Sequence, residues 1–375
     1  NSKSIVDEFD ERFNNCIKSR LISDVPVGSL ISGGIDSSSL VYKMLEIGNL
    51  SEIKLFFAQN NISEINEISA VKFFFNFIKN RFKNNRINLY VLKNQINDYW
   101  KNIEKVAFYN DEPCTFTNFH LVYSLSKIIK KNNLKVVFSG EGADEIFFGY
   151  DRFKRTDLLF RKGRGNNNLE NIFFGYGINN MKLISSILKD KSVNEKILSS
   201  DSWLWLSKVS KKFNLNTSQL LFSQKYRLLG LLQRQDRATM AHGVESRAPF
   251  LKPSFVSWVN SVPMTYKYNR NMKTNKLVLR KYMANYLHPN IVGREKIGFG
   301  SDFDQEYKMK EFQKKIISII SERDSFTSTY LNSEAILKIF KYKKLIYKYH
   351  NIIKHILNIE IWYKVFYRKN YFKSL

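Results

Sequence analysis

Apolar residues in the first 155 positions alternate between helical and strand spacing. Ile5, Phe9, Phe13 and Ile17 recur every four residues, which predicts that the chain begins with an amphipathic helix. Short apolar runs predict strands at residues 28–31, 53–58, 88–92 and 134–138, and helical spacing predicts helices at 39–47, 66–80 and 118–130. Because strands separated by helices favour right-handed parallel crossovers, we predict an α/β fold, a parallel sheet with helices on both faces.

Strand patterns fade beyond residue 155, and helical spacing dominates the rest of the chain. It predicts helices at residues 218–241, 274–287 and 334–349. The aromatic residues near the C-terminus favour core packing over a binding face; they are Trp362, Tyr363, Phe366, Tyr367, Tyr371 and Phe372. We therefore predict two parts, an α/β core at residues 1–155 and a mainly helical remainder at residues 156–375.

Residues 32–38 read Ser-Gly-Gly-Ile-Asp-Ser-Ser and follow the first predicted strand. Two glycines allow a tight turn whose backbone N–H groups approach an anion, and hydroxyls and the next helix N-terminus add donors. Asp36 would repel a phosphate unless a cation lies between them, which indicates a magnesium-bound nucleotide. The segment lacks the Gly-Lys-Ser/Thr end of a Walker loop. The alternative interpretation is an ordinary Ser/Gly turn that caps a helix.

A second loop, residues 139–145, reads Ser-Gly-Glu-Gly-Ala-Asp-Glu and follows the strand at 134–138. Asp144 could join Asp36 in holding one Mg²⁺ ion, which prefers hard oxygen ligands. Glu141 stands between two glycines, where it could reach a substrate. The alternative is an acidic helix N-terminus, at which Asp and Glu are favourable without any ligand.

Two further segments carry charged residues at short spacing. Glu245 and Arg247 are two residues apart and share one side of an extended chain, where the arginine could orient a carboxylate or form a structural ion pair. Arg294 and Lys296 lie in a glycine-bearing loop, in which a mobile cation would suit charge that develops at phosphorus; the alternative is an exposed basic loop. Lys276 and Arg280, four residues apart, add a further basic face.

Composition narrows the class of protein. The chain has 375 residues and a formal charge of +26, but its lysines are spread along the whole sequence, so we favour solvated surfaces over a nucleic-acid partner. No apolar run reaches the roughly eighteen residues of a membrane span, and residues 1–8 do not form an apolar signal segment. Only Cys16 and Cys114 are present, which argues against a disulfide framework or a cysteine zinc site and favours a cytoplasmic location.

The four segments, in this order, resemble the synthetase domain of the glutamine-hydrolysing asparagine synthetase family, within the ATP pyrophosphatase group. The resemblance covers roughly residues 1–305 and implies a pyrophosphate-loop fold similar to the adenine-nucleotide α-hydrolases. It implies that ATP is split between its α- and β-phosphates, with Mg²⁺ as cofactor. It also implies that aspartate becomes β-aspartyl-AMP, which ammonia converts to asparagine, AMP and pyrophosphate.

The resemblance assigns roles to single residues. Adenosine would be bordered by Ile31 and Ala58, and AMP would be contacted by Ser139 and Gly140. The residues that would hold the pyrophosphate are Ser32, Gly33, Gly34, Ser37 and Ser38. Asp36 and Asp144 would hold Mg²⁺.

The remaining roles concern catalysis and the acceptor. Glu141 would support formation of the intermediate and accept a proton from ammonia. Lys296 would stabilise charge during adenylation, whereas Glu245 and Arg247 would shape the acceptor pocket.

The sequence also departs from the family pattern. Lys252 stands where the family usually has aspartate after Pro-Phe-Leu. The family's glutaminase domain uses an N-terminal cysteine as its nucleophile; Asn1 is not that residue, and no such domain precedes the first loop. We expect the glutaminase domain to be missing from this chain, so that it uses ammonia directly or depends on a separate glutaminase domain or subunit; a homodimer is compatible with the resemblance.

Two other functions compete. A relative could amidate another carboxylate, such as a sugar uronate in surface polysaccharide. A pyrophosphate-loop protein that modifies RNA would suit the positive charge, but it would commonly carry cysteine pairs, which are not visible here. Intact Asp36, Glu141, Asp144 and Lys296 argue against a non-catalytic protein on an enzyme fold.

Overall fold

The sheet of this protein is built from strands that lie far apart in sequence. The structure is a computed structural model, and it describes residues 4–59, 67–93, 96–114, 118–161, 172, 185–190, 192, 199–295 and 309–368. Five parallel strands pair in the order β3-β2-β1-β4-β5, with bounds β1 Val27–Leu30, β2 Glu52–Gln59, β3 Arg86–Lys93, β4 Val136–Phe138 and β5 Glu245–Arg247. The four predicted strands are confirmed, and β5 comes from the segment that contains Glu245 and Arg247.

Helices alternate with the first four strands, as the apolar spacing predicts. The first seven are α1 Ile5–Leu21, α2 Ile35–Ile47, α3 Glu67–Arg81, α4 Ile96–Asn110, α5 Phe119–Lys131, α6 Ala143–Phe147 and α7 Asp151–Arg161. The later α-helices of the described chain are Asp201–Ser210, Leu215–Phe222, Leu228–Met240, Pro253–Ser261, Leu277–Met283, Pro289–Val292, Lys310–Ile320, Phe326–Tyr330, Ser333–Lys341 and Lys343–Tyr363. The α/β fold class is therefore confirmed, with a mostly helical C-terminal part.

Three long helices predicted in the later part are interrupted. The helix predicted at 218–241 consists of two α-helices joined by a π-helical turn, Ser223–Arg227. The helix predicted at 274–287 begins with β7, Thr274–Asn275, which pairs with β6, Tyr268–Asn269. It continues only after Lys276, whose φ of 55° lies in the left-handed region. The helix predicted at 334–349 breaks at Tyr342, which is extended with φ −126° and ψ 116°.

Alternating residues of β2 serve the two faces of the sheet. Leu55 and Phe57 pack in a core with apolar residues of α1, α2 and α3, whereas Phe56 and Ala58 pack with α5 residues and Val244. A strand that is apolar on both faces is the pattern of a covered parallel sheet. Helices therefore cover both faces, as predicted.

The chain divides into two compact units that interleave in sequence. The first contains residues 1–94, 121–155 and 219–299, and the second contains 95–120, 156–218 and 300–375. The units do not follow the single boundary predicted at residue 155, because residues 219–299 supply β5 and the helix Leu228–Met240 packed against it.

The second unit has its own helical core. It includes Tyr99 and Ile103 of α4, Ile316, and Ile353 and Leu357 of the helix Lys343–Tyr363. Phe366 packs against this core, as predicted, whereas Tyr367 is 67% exposed, so the prediction is wrong for that residue. Tyr371 and Phe372 lie outside the described residues. Within the part of the chain that the structure describes, no helix combines the length and apolar content needed to cross a membrane.

Candidate active site

The carboxyl ends of β1 and β4 lie side by side at the centre of the sheet. Ser29 of β1 is in register with Phe138 of β4. The strand order reverses at this pair, because the chain adds β2 and β3 on one side of β1 and β4 and β5 on the other. Ligands of open α/β sheets bind at such a switch point, outside the carboxyl ends of the strands. Both predicted loops begin here, so the structure brings them together.

Hydroxyl groups hold the first loop in shape. Ser37 Oγ accepts a hydrogen bond from the Ser32 backbone N–H at 3.1 Å, lies 3.2 Å from Ser32 Oγ and donates to Gly34 O at 3.3 Å. Gly33 has a φ of 66°, which favours glycine. Gly34 precedes α2 without a side-chain cap, so the first backbone N–H groups of that helix are available to an anion.

The second loop lies directly against the first. A Cβ on Gly140 would be 3.3 Å from Asp36 Cβ, which shows how closely the two backbones approach. Gly142 has a φ of 89° and precedes α6, whose second residue is Asp144. These turns place Asp144 on the same side of the cleft as Asp36.

A buried lysine joins the two carboxylates. Lys276 Nζ pairs with Asp36 Oδ2 and lies 2.7 Å from Asp144 Oδ1, and its side chain is only 1% exposed. Burial lowers the pKa of Lys276, and the Asp36 carboxylate opposes that shift. The predicted acidic pair is therefore present, with a cation already bound between its members.

Several buried polar atoms around the cleft lack a hydrogen-bond partner within the described residues. They are Asp36 Oδ1, Ser38 Oγ and Ser139 Oγ. Buried polar groups are nearly always paired in native proteins, so such atoms are typical of a site that binds a ligand or ion. Two carboxylates beside an anion-binding loop fit Mg²⁺, which is usually held by one or two carboxylates together with substrate phosphates. No group of three or more His, Cys, Asp or Glu suited to a metal occurs among the described residues.

The far end of the cleft is apolar. Its lining includes Leu30, Phe56, Ala58, Val122 and Leu125, next to Ile31. The cleft is open to solvent, and its lining continues from these apolar residues to Ser32, Gly34 and Asp36 of the first loop. One end can take a flat apolar group such as a purine, and the other end can take phosphates.

Glu141 lines the cleft and is held by an arginine that the sequence analysis did not single out. Arg234 Nη2 donates to Glu141 Oε1, and the Arg234 side chain is 3% exposed. The neighbouring Gln235 also lines the cleft and donates from Nε2 to Ser246 Oγ at 3.1 Å. Arg234 of the helix Leu228–Met240 therefore holds the glutamate carboxylate.

Glu245 and Arg247 do not line the cleft. They flank Ser246 on β5, and the residues paired with them, Val136 and Phe138, pack on the α1 face of the sheet rather than the α5 face. Arg247 Nη1 donates to the backbone oxygens of Arg20 at 2.5 Å and Ile22 at 2.8 Å.

The Arg247 Nε donates to Glu245 Oε1 at 2.7 Å, which completes the ion pair that the sequence left open as an alternative. Neither Glu245 nor Arg247 is among the residues that line the described cleft, and the acceptor-pocket role that the resemblance implies for them stays a prediction.

Two arginines lie at the end of the cleft that the first loop forms. Arg294 Nη1 donates to Gly33 O at 3.1 Å, so the predicted basic loop contacts the loop at residues 32–38. Arg280 Nη2 donates to Arg294 O at 3.1 Å and both arginines line the cleft. Burial lowers the pKa of both guanidinium groups. Lys296 lies outside the described residues, and its role stays a prediction.

Sequence reasoning missed part of the site for a physical reason. The spacing of Lys276 and Arg280 indicates only a basic face. The partner that Lys276 contacts, Asp36, lies 240 positions away in the sequence. Nothing local in a sequence signals so distant an ion pair. The left-handed backbone at Lys276 is equally invisible, because glycine rather than lysine normally marks that conformation.

Comparisons with known proteins agree with the motifs. The family model described as asparagine synthase matches residues 8–364. Asparagine synthetase 1, glutamine-hydrolyzing, of Bacillus subtilis (strain 168) is 25% identical over 373 residues, covering 90% of this chain and 55% of that protein. The glutamine-hydrolyzing asparagine synthetase of Rattus norvegicus is 27% identical over 296 residues, covering 76% of this chain and 41% of that protein.

A relative with a different name also matches. Amidase chyE of Penicillium rubens is 24% identical over 351 residues, covering 77% of this chain and 51% of that protein. The chain spans about half the length of these curated relatives. The solved structure of the U34-tRNA thiolase NcsA from Methanococcus maripaludis matches over 75% of this chain and 82% of that one, with 14% identity. Its TM-score of 0.27 is too low to indicate a shared fold. With the family model matching nearly the whole chain, this protein belongs to the asparagine synthase family.

Proposed function

We propose that this chain catalyses the ATP-dependent amidation of aspartate to asparagine through a β-aspartyl-AMP intermediate, with release of AMP and pyrophosphate. The observation that carries the proposal is the cleft at the switch point. An uncapped helix N-terminus, the hydroxyl-ordered loop and the carboxylates Asp36 and Asp144 meet at one end, and an apolar lining lies at the other.

The chemistry requires adenylation because a carboxylate is a poor electrophile. Its oxygen must be converted into a good leaving group, and transfer of AMP does so. The loop at Ser32–Gly34 and the α2 N-terminus bind the pyrophosphate portion through backbone N–H groups, where negative charge develops as the α–β bond breaks. When bound at Asp36 and Asp144, Mg²⁺ supplies charge neutralisation on the phosphates.

Glu141 is the base in this proposal. Its carboxylate lines the cleft, accepts a hydrogen bond from Arg234 and is part-exposed, so it can reach an incoming amine. The proton of ammonia passes to Glu141 Oε as nitrogen attacks the activated carbonyl carbon, and AMP leaves. Lys296 stabilises charge during adenylation in the same proposal, as the family resemblance implies.

The source of ammonia and the acceptor are further parts of the proposal. Glutamine is the source of ammonia in this proposal, hydrolysed by a glutaminase domain or subunit, and added ammonium replaces it in vitro. A cytoplasmic location and a homodimer stay predictions. The relative named as an amidase makes a second acceptor class worth testing, because membership of the family alone does not fix the carboxylate.

Pyrophosphate release tests the proposal. The protein is incubated with ATP, Mg²⁺ and ammonium, with aspartate, with a sugar uronate or without acceptor. We expect release that depends on aspartate and is accompanied by asparagine. Asp36→Asn should abolish it, whereas Asp10→Asn should retain it, since Asp10 pairs with Tyr282 and Asn14 outside the cleft. Pyrophosphate release that depends only on the uronate would show that the uronate, and not aspartate, is the acceptor. Release of phosphate together with ADP would contradict adenylation.

A further inference from the structure

Lys276 occupies the place where a metal cation would bind. Its ammonium group bridges Asp36 and Asp144, which are the two carboxylates proposed to hold Mg²⁺. We propose that Lys276 is an internal cation of the nucleotide-free protein, which keeps Mg²⁺ off these carboxylates until ATP enters. The metal then binds together with the phosphates, and Lys276 Nζ exchanges the carboxylates for a phosphate oxygen. This inference rests on the proposed function.

The backbone around Lys276 directs its side chain into this position. The Lys276 N–H donates to Phe147 O at 3.2 Å, and its carbonyl accepts from the Arg280 N–H at 2.9 Å. Its φ of 55° is a conformation that a lysine rarely adopts, and it turns the chain sharply between β7 and the helix Leu277–Met283. A Cβ on Gly149 would be 2.5 Å from Lys276 Cε, so the end of the lysine stem packs closely against the Gly149 backbone.

Charge arithmetic explains why the metal and the lysine compete. Two carboxylates bound to one ammonium leave a net charge of about −1, too little to compensate for dehydration of a divalent cation. A metal and an ammonium that shared the same carboxylate oxygens would also repel each other at close range. ATP removes both obstacles, because its phosphates add ligands and negative charge and offer Lys276 a new partner.

The competing interpretation is a permanent structural ion pair. In that case Lys276 stays between the carboxylates, and metal affinity does not depend on it. The chain offers a matched control in Lys43, which is 2% exposed, pairs with Glu46 and lies 3.8 Å from Asp10 Oδ1 outside the cleft. Lys43→Met removes a buried, doubly paired lysine without touching Asp36 or Asp144.

The test is Mn²⁺ binding to the whole chain, measured by electron paramagnetic resonance in the absence of nucleotide. Wild type and Lys43→Met should bind Mn²⁺ equally weakly, and Lys276→Met should bind it about tenfold more tightly or better. Equal Mn²⁺ affinity of Lys276→Met and wild type would overturn the inference.

A second measurement uses wild type alone, in case Lys276→Met does not fold. Binding of α,β-methylene-ATP to the wild-type chain is measured in the presence of Mn²⁺ and in the presence of EDTA. Tighter binding with Mn²⁺ supports the inference if Mn²⁺ alone binds weakly. Mn²⁺ that binds as tightly without the analogue contradicts the internal cation, and an analogue that binds in neither condition contradicts the proposed nucleotide site itself.

Discussion

The position of Gly149 shows how tightly single atoms define the acidic end of the cleft. A Cβ there would lie 1.9 Å from Asp144 Oδ1 and 2.5 Å from Lys276 Cε. The Gly149 N–H also donates to Asp144 O at 2.9 Å, and its carbonyl accepts from Asn275 Nδ2 at 2.7 Å, so the backbone has no room to retreat. A side chain at this residue must displace the carboxylate or the lysine.

We predict that Gly149→Ala lowers kcat for pyrophosphate release by about 100-fold, because a misplacement near 1 Å at the reacting centre has that effect. The measurement is steady-state kinetics, with circular dichroism to verify folding. Gly243→Ala is the control: Gly243 has a φ of 67°, but a Cβ would meet nothing closer than Lys130 Nζ at 3.8 Å. It should lose about 1–2 kcal/mol of stability from backbone strain and keep its kcat. Full activity of Gly149→Ala would show that the geometry at Asp144 does not matter.

Residues that make local patterns were predictable, and residues that act across long distances were not. Asp36 and Asp144 stand in glycine-bearing loops after strands, and both lie where the patterns indicate. Arg234 and Lys276 carry no such signal, because their partners Glu141 and Asp36 are separated from them by the rest of the fold. Only the folded chain reveals which cation meets which carboxylate.

At the scale of elements, β5 connects the sheet to the first helix. Arg247 of β5 donates to two carbonyl oxygens at the C-terminal end of α1 while its Nε donates to Glu245 Oε1, and the fixed fork of a guanidinium suits this set of contacts better than a lysine ammonium does. β5 has three residues, too few to be predicted from an apolar pattern, but the spacing of Glu245 and Arg247 does indicate an extended chain there.

We predict that Arg247→Lys lowers the free energy of unfolding by about 1–3 kcal/mol and leaves the KM for aspartate within about twofold of wild type. Denaturant unfolding and steady-state kinetics measure the two quantities. Arg12→Lys, an exposed arginine of α1 that lies 3.8 Å from Glu8, serves as the control and should change neither. A large rise in KM without loss of stability would support the acceptor role that the resemblance implies.

The long helix Lys343–Tyr363 carries a histidine that makes the second unit sensitive to acid. Burial, helped by the adjacent Lys354, lowers the pKa of His355 from 6.5 to about 4. The unfolded chain therefore takes up a proton below pH 6.5, whereas the folded chain does so only near pH 4. This contribution to stability is complete above pH 6.5 and is lost as the pH falls from 6.5 through 4.

Replacement of His355 should remove that dependence. We predict that the Tm of His355→Gln declines less than that of wild type between pH 6.5 and 4, by about 2–6 °C. Thermal unfolding followed by circular dichroism across this range measures it, with His350→Gln on the same helix as the control. Parallel Tm curves for wild type and His355→Gln would contradict a partly buried imidazole that stays neutral down to about pH 4.

On the scale of the whole molecule, the site is assembled from segments that span more than 260 positions. Ser32 of the first loop and Arg294 of the last contact the same cleft, and the intervening residues contribute strands, helices and part of a second unit. The order of motifs and the crossover pattern sufficed to predict the parallel sheet and its ligand edge. The interleaved units were not predictable, because a local pattern does not show which distant segments of the chain pack together.

The claim on which the whole account depends is that the chain activates a carboxylate by adenylation. The direct measurement is isotope transfer from aspartate labelled with ¹⁸O in its side-chain carboxylate, incubated with ATP, Mg²⁺ and ammonium. The account predicts AMP that carries one ¹⁸O atom, in amounts equal to the asparagine formed, because the carboxylate oxygen leaves with the phosphate. Unlabelled AMP, or ADP as the nucleotide product, would contradict it.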